Sequence, residues 1–410
     1  MSGVACRSCE ASLGRTVFDL GCMPLANEYP STEVECLSEQ RYPLRVRLCE
    51  RCWLLQLDEV IPPDRLFSDY AYFSSYSDTW VSQAAEFAGA MQERLQLGSG
   101  SLVLEVASND GYLLRHFVRR GVPVLGIDPA ENVVASAVAS GVPTKVGFFG
   151  SELAAQLVID GVAADLVVAN NVLAHVPDTN DFVAGLVRVL APEGILSVEF
   201  PELSTMLAGA QFDQIYHEHV FYFSLLSCES LLRRHGLRVV DVVSLASHGG
   251  SLRVMACHDD AAHVEEESVN AVRRRELQLG LGTVDPYSTF AAGADSRAES
   301  VRRWLEGVAA RGKRVAAYGA AAKGNTLLNY CSVTTGDIGY VVDRSPHKQG
   351  HFLPGSHLPI LPPGALVSGR PDFVLVLAWN LLDEVTASLP EVRAWGGRFV
   401  TTMPTLTVVQ

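Results

Sequence analysis

The sequence predicts an α/β protein in which a small cysteine-bearing unit precedes two Rossmann-like units. Three observations predict it: two Cys-x-x-Cys pairs near the amino terminus, a strand-and-helix alternation starting at Ser101, and the same alternation restarting at Arg314. At 410 residues the chain exceeds one ordinary core, and we place its domains at 1–75, 76–260 and 261–410. A hydrophobic fraction of 48% with 19% charged residues suits large buried cores. The net charge of -14, with no basic run longer than Arg273–Arg275, opposes binding to a phosphate backbone, so nucleic acid is not an expected partner. The stretch Met1–Cys6 lacks the basic and apolar regions of a secretion signal, and no apolar run is long enough to cross a bilayer. A cytoplasmic protein without membrane contact is expected, and the lack of a clear exposed apolar stripe favours a monomer.

Cys6-x-x-Cys9 and Cys49-x-x-Cys52 supply four thiols in two matched pairs, a spacing that lets each pair wrap one face of a tetrahedral zinc. Four cysteine ligands close the coordination sphere, so such a zinc holds the fold and does not catalyse. Cys22 and Cys36 lack paired spacing and read as core or surface residues. Residues 60–80 are dense in rings, with Phe67, Tyr70, Tyr72, Phe73, Tyr76 and Trp80. That density suits a packed connection between domains, or a segment from which Tyr70 or Tyr76 reaches over a pocket. A helix is expected from about Thr79 to Leu95.

Ser101–Val106 reads as a buried first strand, followed by the small-residue turn Ala107-Ser108-Asn109-Asp110-Gly111 and a helix. Such a turn lets a ligand approach the backbone at the carboxyl end of the strand. A second strand, Pro123–Ile127, ends in Asp128, where an acid can accept both hydroxyls of a ribose. G-x-G-x-x-G is absent, which argues against a pyrophosphate here. Strand, Glu105, small-residue turn, strand and acid resembles the S-adenosylmethionine (SAM) site of the class I methyltransferases, in a degenerate form. That resemblance implies donor contacts from Glu105, Ala107, Asn109, Gly111, Tyr112 and Asp128. It also implies a fourth strand, Ala164–Ala169, leading through Asn170 to His175 near the donor's methyl group. Glu193–Phe200 reads as the fifth strand, and Leu237–Val243 with Ser251–Ala256 as a closing hairpin around Gly249-Gly250.

Between the fifth strand and that hairpin lies Tyr216-His217-Glu218-His219-Val220-Phe221-Tyr222-Phe223-Ser224, the richest cluster of acid–base groups in the chain. If extended, it points His217 and His219 to one face and Tyr216 and Glu218 to the other, so cooperation of Glu218 with His219 requires a turn. A histidine beside a carboxylate can act as a base near neutral pH. The alternative is a buried polar network or a helix start. Residues 258–285 lack clear apolar spacing and read partly as a surface helix, with a longer helix near 287–311. The second Rossmann-like unit then carries Gly319-Ala320-Ala321-Ala322-Lys323-Gly324-Asn325 after its first strand and Asp343 after its second, a turn that could hold a phosphate at a helix start.

Taken in order, the paired cysteines, Glu105–Tyr112, Tyr216–Ser224 and Gly319–Asn325 resemble the nucleotide-sugar C-methyltransferases of deoxysugar biosynthesis, in particular those acting at C-3 of a TDP-linked 4-keto sugar. The resemblance covers nearly the whole chain. It implies a zinc domain, a SAM domain, a Rossmann-like carboxyl-terminal domain and a substrate cleft between the last two. It matches the family's base to His219 and its supporting groups to Tyr70, His175, Tyr216 and Glu218. Tyr76, His217, Tyr222, Lys323 and Asn325 are our candidates for holding the sugar nucleotide. The chemistry is consistent: a C-4 ketone acidifies C-3–H, a base removes that proton, and donors at O-4 stabilise the enolate. The alternatives are an O- or N-methyltransferase, an NAD-dependent oxidoreductase or epimerase, or a zinc-stabilised SAM-binding protein.

Overall fold

Alternating apolar residues build the amino-terminal sheet: in β2 (Tyr42–Leu48) the inward Leu44, Val46 and Leu48 are buried, and its antiparallel neighbours are β1 (Thr16–Met23) and β3 (Leu55–Leu57). The computed structural model describes residues 5–67, 74–76 and 78–409, without the side chains of Tyr76, Asp78 and His248. The next five strands, β4 (Val103–Val106), β5 (Val124–Asp128), β6 (Thr144–Val146), β7 (Ala164–Asn170) and β8 (Leu190–Pro201), are all parallel, and apolar runs build all of them but β6. The short β6 was not expected, because its three residues sit at the sheet edge and carry no apolar run.

After β8 the chain contributes β9 (Phe221–Tyr222), which leaves this sheet and pairs antiparallel with β3 of the amino-terminal unit. The hairpin β10 (Leu237–Leu245) and β11 (Ser251–His258) then closes the central sheet in the order β10-β11-β8-β7-β4-β5-β6. The helix Glu267–Gln278 turns Val269 and Val272 into this unit's core, and its buried Glu276 accepts from the backbone of Leu225 and Leu226 at 2.6 and 2.8 Å. One apolar pair at helical spacing was too sparse to show as periodicity.

The carboxyl-terminal unit comprises β12 (Val315–Tyr318), β13 (Val341–Val342), β14 (Ile360–Leu361), β15 (Phe373–Val376), β16 (Arg398–Thr401) and β17 (Thr407–Val409), in the order β14-β13-β12-β15-β16-β17. All but the edge strand β17 run parallel. The helix Asp285–Ala310 joins it to the rest, and its Phe290 meets Phe18 of β1 edge to face at 5.5 Å. The amino-terminal sheet therefore shares one core with the carboxyl-terminal unit, while the cysteine loops share another with the central sheet.

The glycines of the β10–β11 turn have a packing reason. Gly249 sits at φ +89°, and Trp379, from the loop after β15, lies where its side chain would be. Trp379 in turn donates from Nε1 to the buried Asp213 at 2.6 Å. Gly249→Ala should displace this indole and cost roughly 1–3 kcal/mol in chemical denaturation.

Candidate functional site

Cys6 and Cys9 come from a tight turn and Cys49 and Cys52 from the loop between β2 and β3. Their four sulfurs lie within 4.8 Å of one another, with Cys6···Cys52 at 3.7 Å and Cys9···Cys49 at 3.5 Å. Zinc–thiolate bonds of about 2.3 Å in a tetrahedron give sulfur–sulfur edges of about 3.8 Å, so this cluster fits zinc. It is the one such cluster among the described residues. Gln56 of β3 is fully buried behind it, donating to Cys6 Sγ at 3.1 Å and accepting from the backbone of Arg7 at 3.1 Å.

The donor-site turn after β4 keeps the backbone that glycines would give, without most of the glycines. Ala107, Asn109 and Gly111 have φ of +57°, +50° and +76°. The strain in Ala107 and Asn109 is held by the surroundings: Asp128, at the end of β5, accepts from the backbone of Asn109 at 2.9 Å and of Ala130 at 3.0 Å, and Asn109 accepts from Ser74 at 2.9 Å. Glu105 lies beneath the turn, 1% exposed, and burial with Asp128 and Asp110 nearby holds its carboxyl well above the usual range. Its Oε2, with Asn170 Oδ1 and both side-chain polar atoms of Asn171, has no partner among the described residues, as suits a polar ligand at this end of the sheet. These residues fit a SAM molecule.

The Tyr216–His219 segment is a turn, not a strand: His219 N donates to Tyr216 O at 2.9 Å. The alternation of faces is thereby lost, and Tyr216, Glu218 and His219 all line one cavity. That cavity, about 800 Å³, is bounded on one side by Ala107, Asn109, Tyr112, Asp128 and Asn170, and on the other by Lys323 and Lys348. His219 donates from Nδ1 to the Gln214 carbonyl at 2.9 Å, and its Nε2 meets the Tyr216 hydroxyl at 2.6 Å. His175 follows β7 in a 3-10 turn, its ring 4.8 Å from that of His219. Burial lowers its pKa to about 4 against the pull of the Glu218 carbonyl, so it is neutral at pH 7. Burial raises Glu218 to about 7, with Asn27 and Lys348 pulling the other way. Lys323 is lowered to about 8 by burial, opposed by Asp213, and lies 5.4 Å from the centre of the Trp379 ring.

Other sequence candidates stand off the cavity wall. His217 packs its ring against Tyr42, with Nε2 3.3 Å from the Tyr42 carbonyl. Tyr222 lies on β9 behind His219, with ring centres 6.3 Å apart, and Asn325 is buried in the helix Ala322–Tyr330. Gly111 shapes the turn without lining the cavity. Tyr70, Tyr72 and Phe73 lie outside the described residues, as does the side chain of Tyr76. Sequence reasoning missed Asn27, Tyr29 and Lys348. The signal for Lys348 was its place after Asp343 at the end of a parallel strand; isolated Asn27 and Tyr29 gave none.

Three domain families match in series: a zinc binding domain over residues 6–67, a methyltransferase domain over 80–242 and a C-methyltransferase C-terminal domain over 246–404. C-methyltransferase NovU of Streptomyces niveus is 37% identical over 399 residues, covering 97% of this chain and 95% of its own length. The mitochondrial ubiquinone biosynthesis O-methyltransferase of Bos taurus is 30% identical over 163 residues, 36% of this chain and 44% of its own. Among solved structures, magnesium protoporphyrin IX methyltransferase from Synechocystis with bound SAM covers 43% of this chain and 77% of its own, at 17% identity and a TM-score of 0.33. No helix among the described residues is long and apolar enough to cross a membrane.

Two measurements probe this geometry. Ala107→Gly, at a left-handed position, should stabilise the fold by roughly 1 kcal/mol in chemical denaturation, where an interior Ala→Gly exchange ordinarily destabilises. For Glu218, a folded pKa near 7 against 4.5 means that the folded state holds a proton the unfolded state has lost, so this group's contribution to stability declines from pH 4.5 to 7. Glu218→Gln should therefore gain on wild type across that window, by up to about 1.4 kcal/mol per pH unit, when both are unfolded at each pH.

Proposed function

This chain belongs to the C-methyltransferase family, and on that premise we propose that it methylates C-3 of a TDP-linked 4-keto-deoxysugar. It is a SAM-dependent enzyme, and SAM supplies the electrophilic methyl group. The observation that carries the sugar-nucleotide reading is the single cavity running from the donor-site turn, past the Tyr216–His219 turn, to Lys323 and Lys348. Two ammonium groups beside the start of the helix Ala322–Tyr330 suit a diphosphate. The middle of the cavity suits an acidic carbon centre.

The tautomer of His219 follows from its contacts. Its Nδ1 carries a proton toward the Gln214 carbonyl, which leaves the Nε2 lone pair to accept from the Tyr216 hydroxyl. When Nε2 takes the C-3 proton, it can no longer accept from Tyr216. The phenol hydrogen is then released to donate to the developing O-4 oxyanion, so one proton transfer frees the donor that stabilises its product. Neutral His175 stands beside this pair as a further donor or acceptor, and Glu218 orients the sugar by accepting from one of its hydrogen-bonding substituents. SAM held at the donor-site turn would supply the methyl group to C-3, its S–CH3 bond giving way as the C–C bond forms and S-adenosylhomocysteine leaving. Tyr70 as a supporting catalytic group and Tyr76 as a sugar contact remain part of this proposal, and His217, Tyr222 and Asn325 support the walls from behind.

His219→Asn should abolish solvent exchange of the C-3 proton, lowering turnover by about 10²- to 10⁴-fold, while SAM binding by calorimetry stays at the wild-type level. Wild-type exchange in that variant removes His219 as the base. Mass spectrometry with SAM and the TDP-linked keto sugar should find a product heavier by one methylene; an unaltered sugar refutes the assignment.

A further inference from the structure

The carboxyl of Glu218 meets a group from the amino-terminal unit. Asn27, in the loop after β1, donates from Nδ2 to Glu218 Oε1 at 2.6 Å. A side-chain amide can offer either its oxygen or its nitrogen, and its surroundings decide which. Here an ionised Glu218, which can only accept, takes the amide nitrogen, and Asn27 Oδ1 faces the Tyr29 hydroxyl at 3.0 Å, whose one hydrogen is shared with a second acceptor. The same hydroxyl is 2.8 Å from the Ala320 carbonyl, which also accepts from Lys348 Nζ at 2.8 Å, with that ammonium 5.3 Å from the centre of the Tyr29 ring. The amino-terminal unit, the catalytic insertion and the carboxyl-terminal unit thus meet in one polar relay at the cavity wall.

We propose that Asn27 is a positioning residue, holding Glu218 as a hydrogen-bond acceptor toward the substrate, with the shared Tyr29 hydroxyl supporting the orientation of its amide. The inference rests on the assignment of Glu218 to sugar binding. Packing alone would be met as well by a leucine at position 27; fixing an acceptor requires the N–H. The charged and titratable groups facing Glu218 are Lys348 and Tyr29 from the other units, Tyr216 and His219 from its own turn, and His175, whose ring meets the Glu218 carbonyl. Asn27 and Lys348 favour the carboxylate and burial opposes it, so loss of the Asn27 donor favours the protonated acid.

Asn27→Leu should lower kcat about ten- to a hundredfold with the KM for SAM changed less than about twofold. Its acid limb should move to higher pH. Asn27→Gln should recover part of the rate, and Tyr29→Phe, in which the amide can turn over, should fall between wild type and Asn27→Leu. The titrating carboxylic C=O infrared band of Glu218, assigned by its loss in Glu218→Gln, should shift upward in pH in Asn27→Leu without any substrate present. An unshifted band and acid limb in folded Asn27→Leu overturn the proposal; if that variant does not fold, the same null result in Tyr29→Phe does so. Glu218→Gln separates the two levels: wild-type kcat there removes Glu218 from sugar binding, whereas a crippled Glu218→Gln beside a wild-type Asn27→Leu removes only the role of Asn27.

Discussion

Two residue pairs of backbone ladder, Leu55 with Tyr222 and Gln56 with Phe221, fix where the Tyr216–His219 turn can be. The chain leaves the central sheet after β8, makes the Tyr216–His219 turn and immediately becomes the edge strand of the amino-terminal sheet. Leu57 N donates to the Val220 carbonyl at 2.8 Å, adjoining His219. On the other side of the turn, Thr326 Oγ1 of the carboxyl-terminal unit donates to the Ile215 carbonyl at 3.0 Å. A short turn gripped on both flanks by other units has little freedom to drift, and catalytic groups lose much of their effect when they drift by an ångström.

The metal-binding loops belong to the same argument. Gln56 touches Cys6 with its side chain and β9 with its backbone, so the cysteine cluster bears on the register of the Tyr216–His219 turn. Asn180 Nδ2 also donates to the carbonyls of Arg7 and Ser8, at 2.8 and 3.1 Å, fastening the cysteine loop to the central unit. A closed four-thiolate site has no open position for substrate, yet it can still act on catalysis through the strand it braces.

What the sequence made legible follows from the range of the forces involved. The runs at Val103–Val106 and Ala164–Ala169 are buried on both faces, so composition alone reveals them. The Cys-x-x-Cys spacing is a local consequence of metal geometry and reads equally well. The face assignment across Tyr216–His219 held only for an extended segment; period-two alternation applies only where a ladder exists, and here the turn that cooperation of Glu218 with His219 requires replaces it. The strand expected before Asp343 is the two-residue β13; Gly339 and Tyr340 still bond to β12, but irregularly. The donor turn lacks most of the glycines of G-x-G-x-x-G, and Ala107 and Asn109 take up the left-handed conformation there under tertiary compulsion. Asn27 and Lys348 were beyond local reading, since their partners lie hundreds of residues away or in another unit.

The β3–β9 pairing also has a temporal meaning. Contacts between segments so distant in sequence form late, because the loop between them must be closed before the pairing repays it. The central unit can gather its parallel core and its donor turn without that pairing, but the His219 turn acquires its place only when the amino-terminal sheet accepts its fourth strand. On the role proposed for His219, a newly made chain would therefore be able to hold the methyl donor before it could use it.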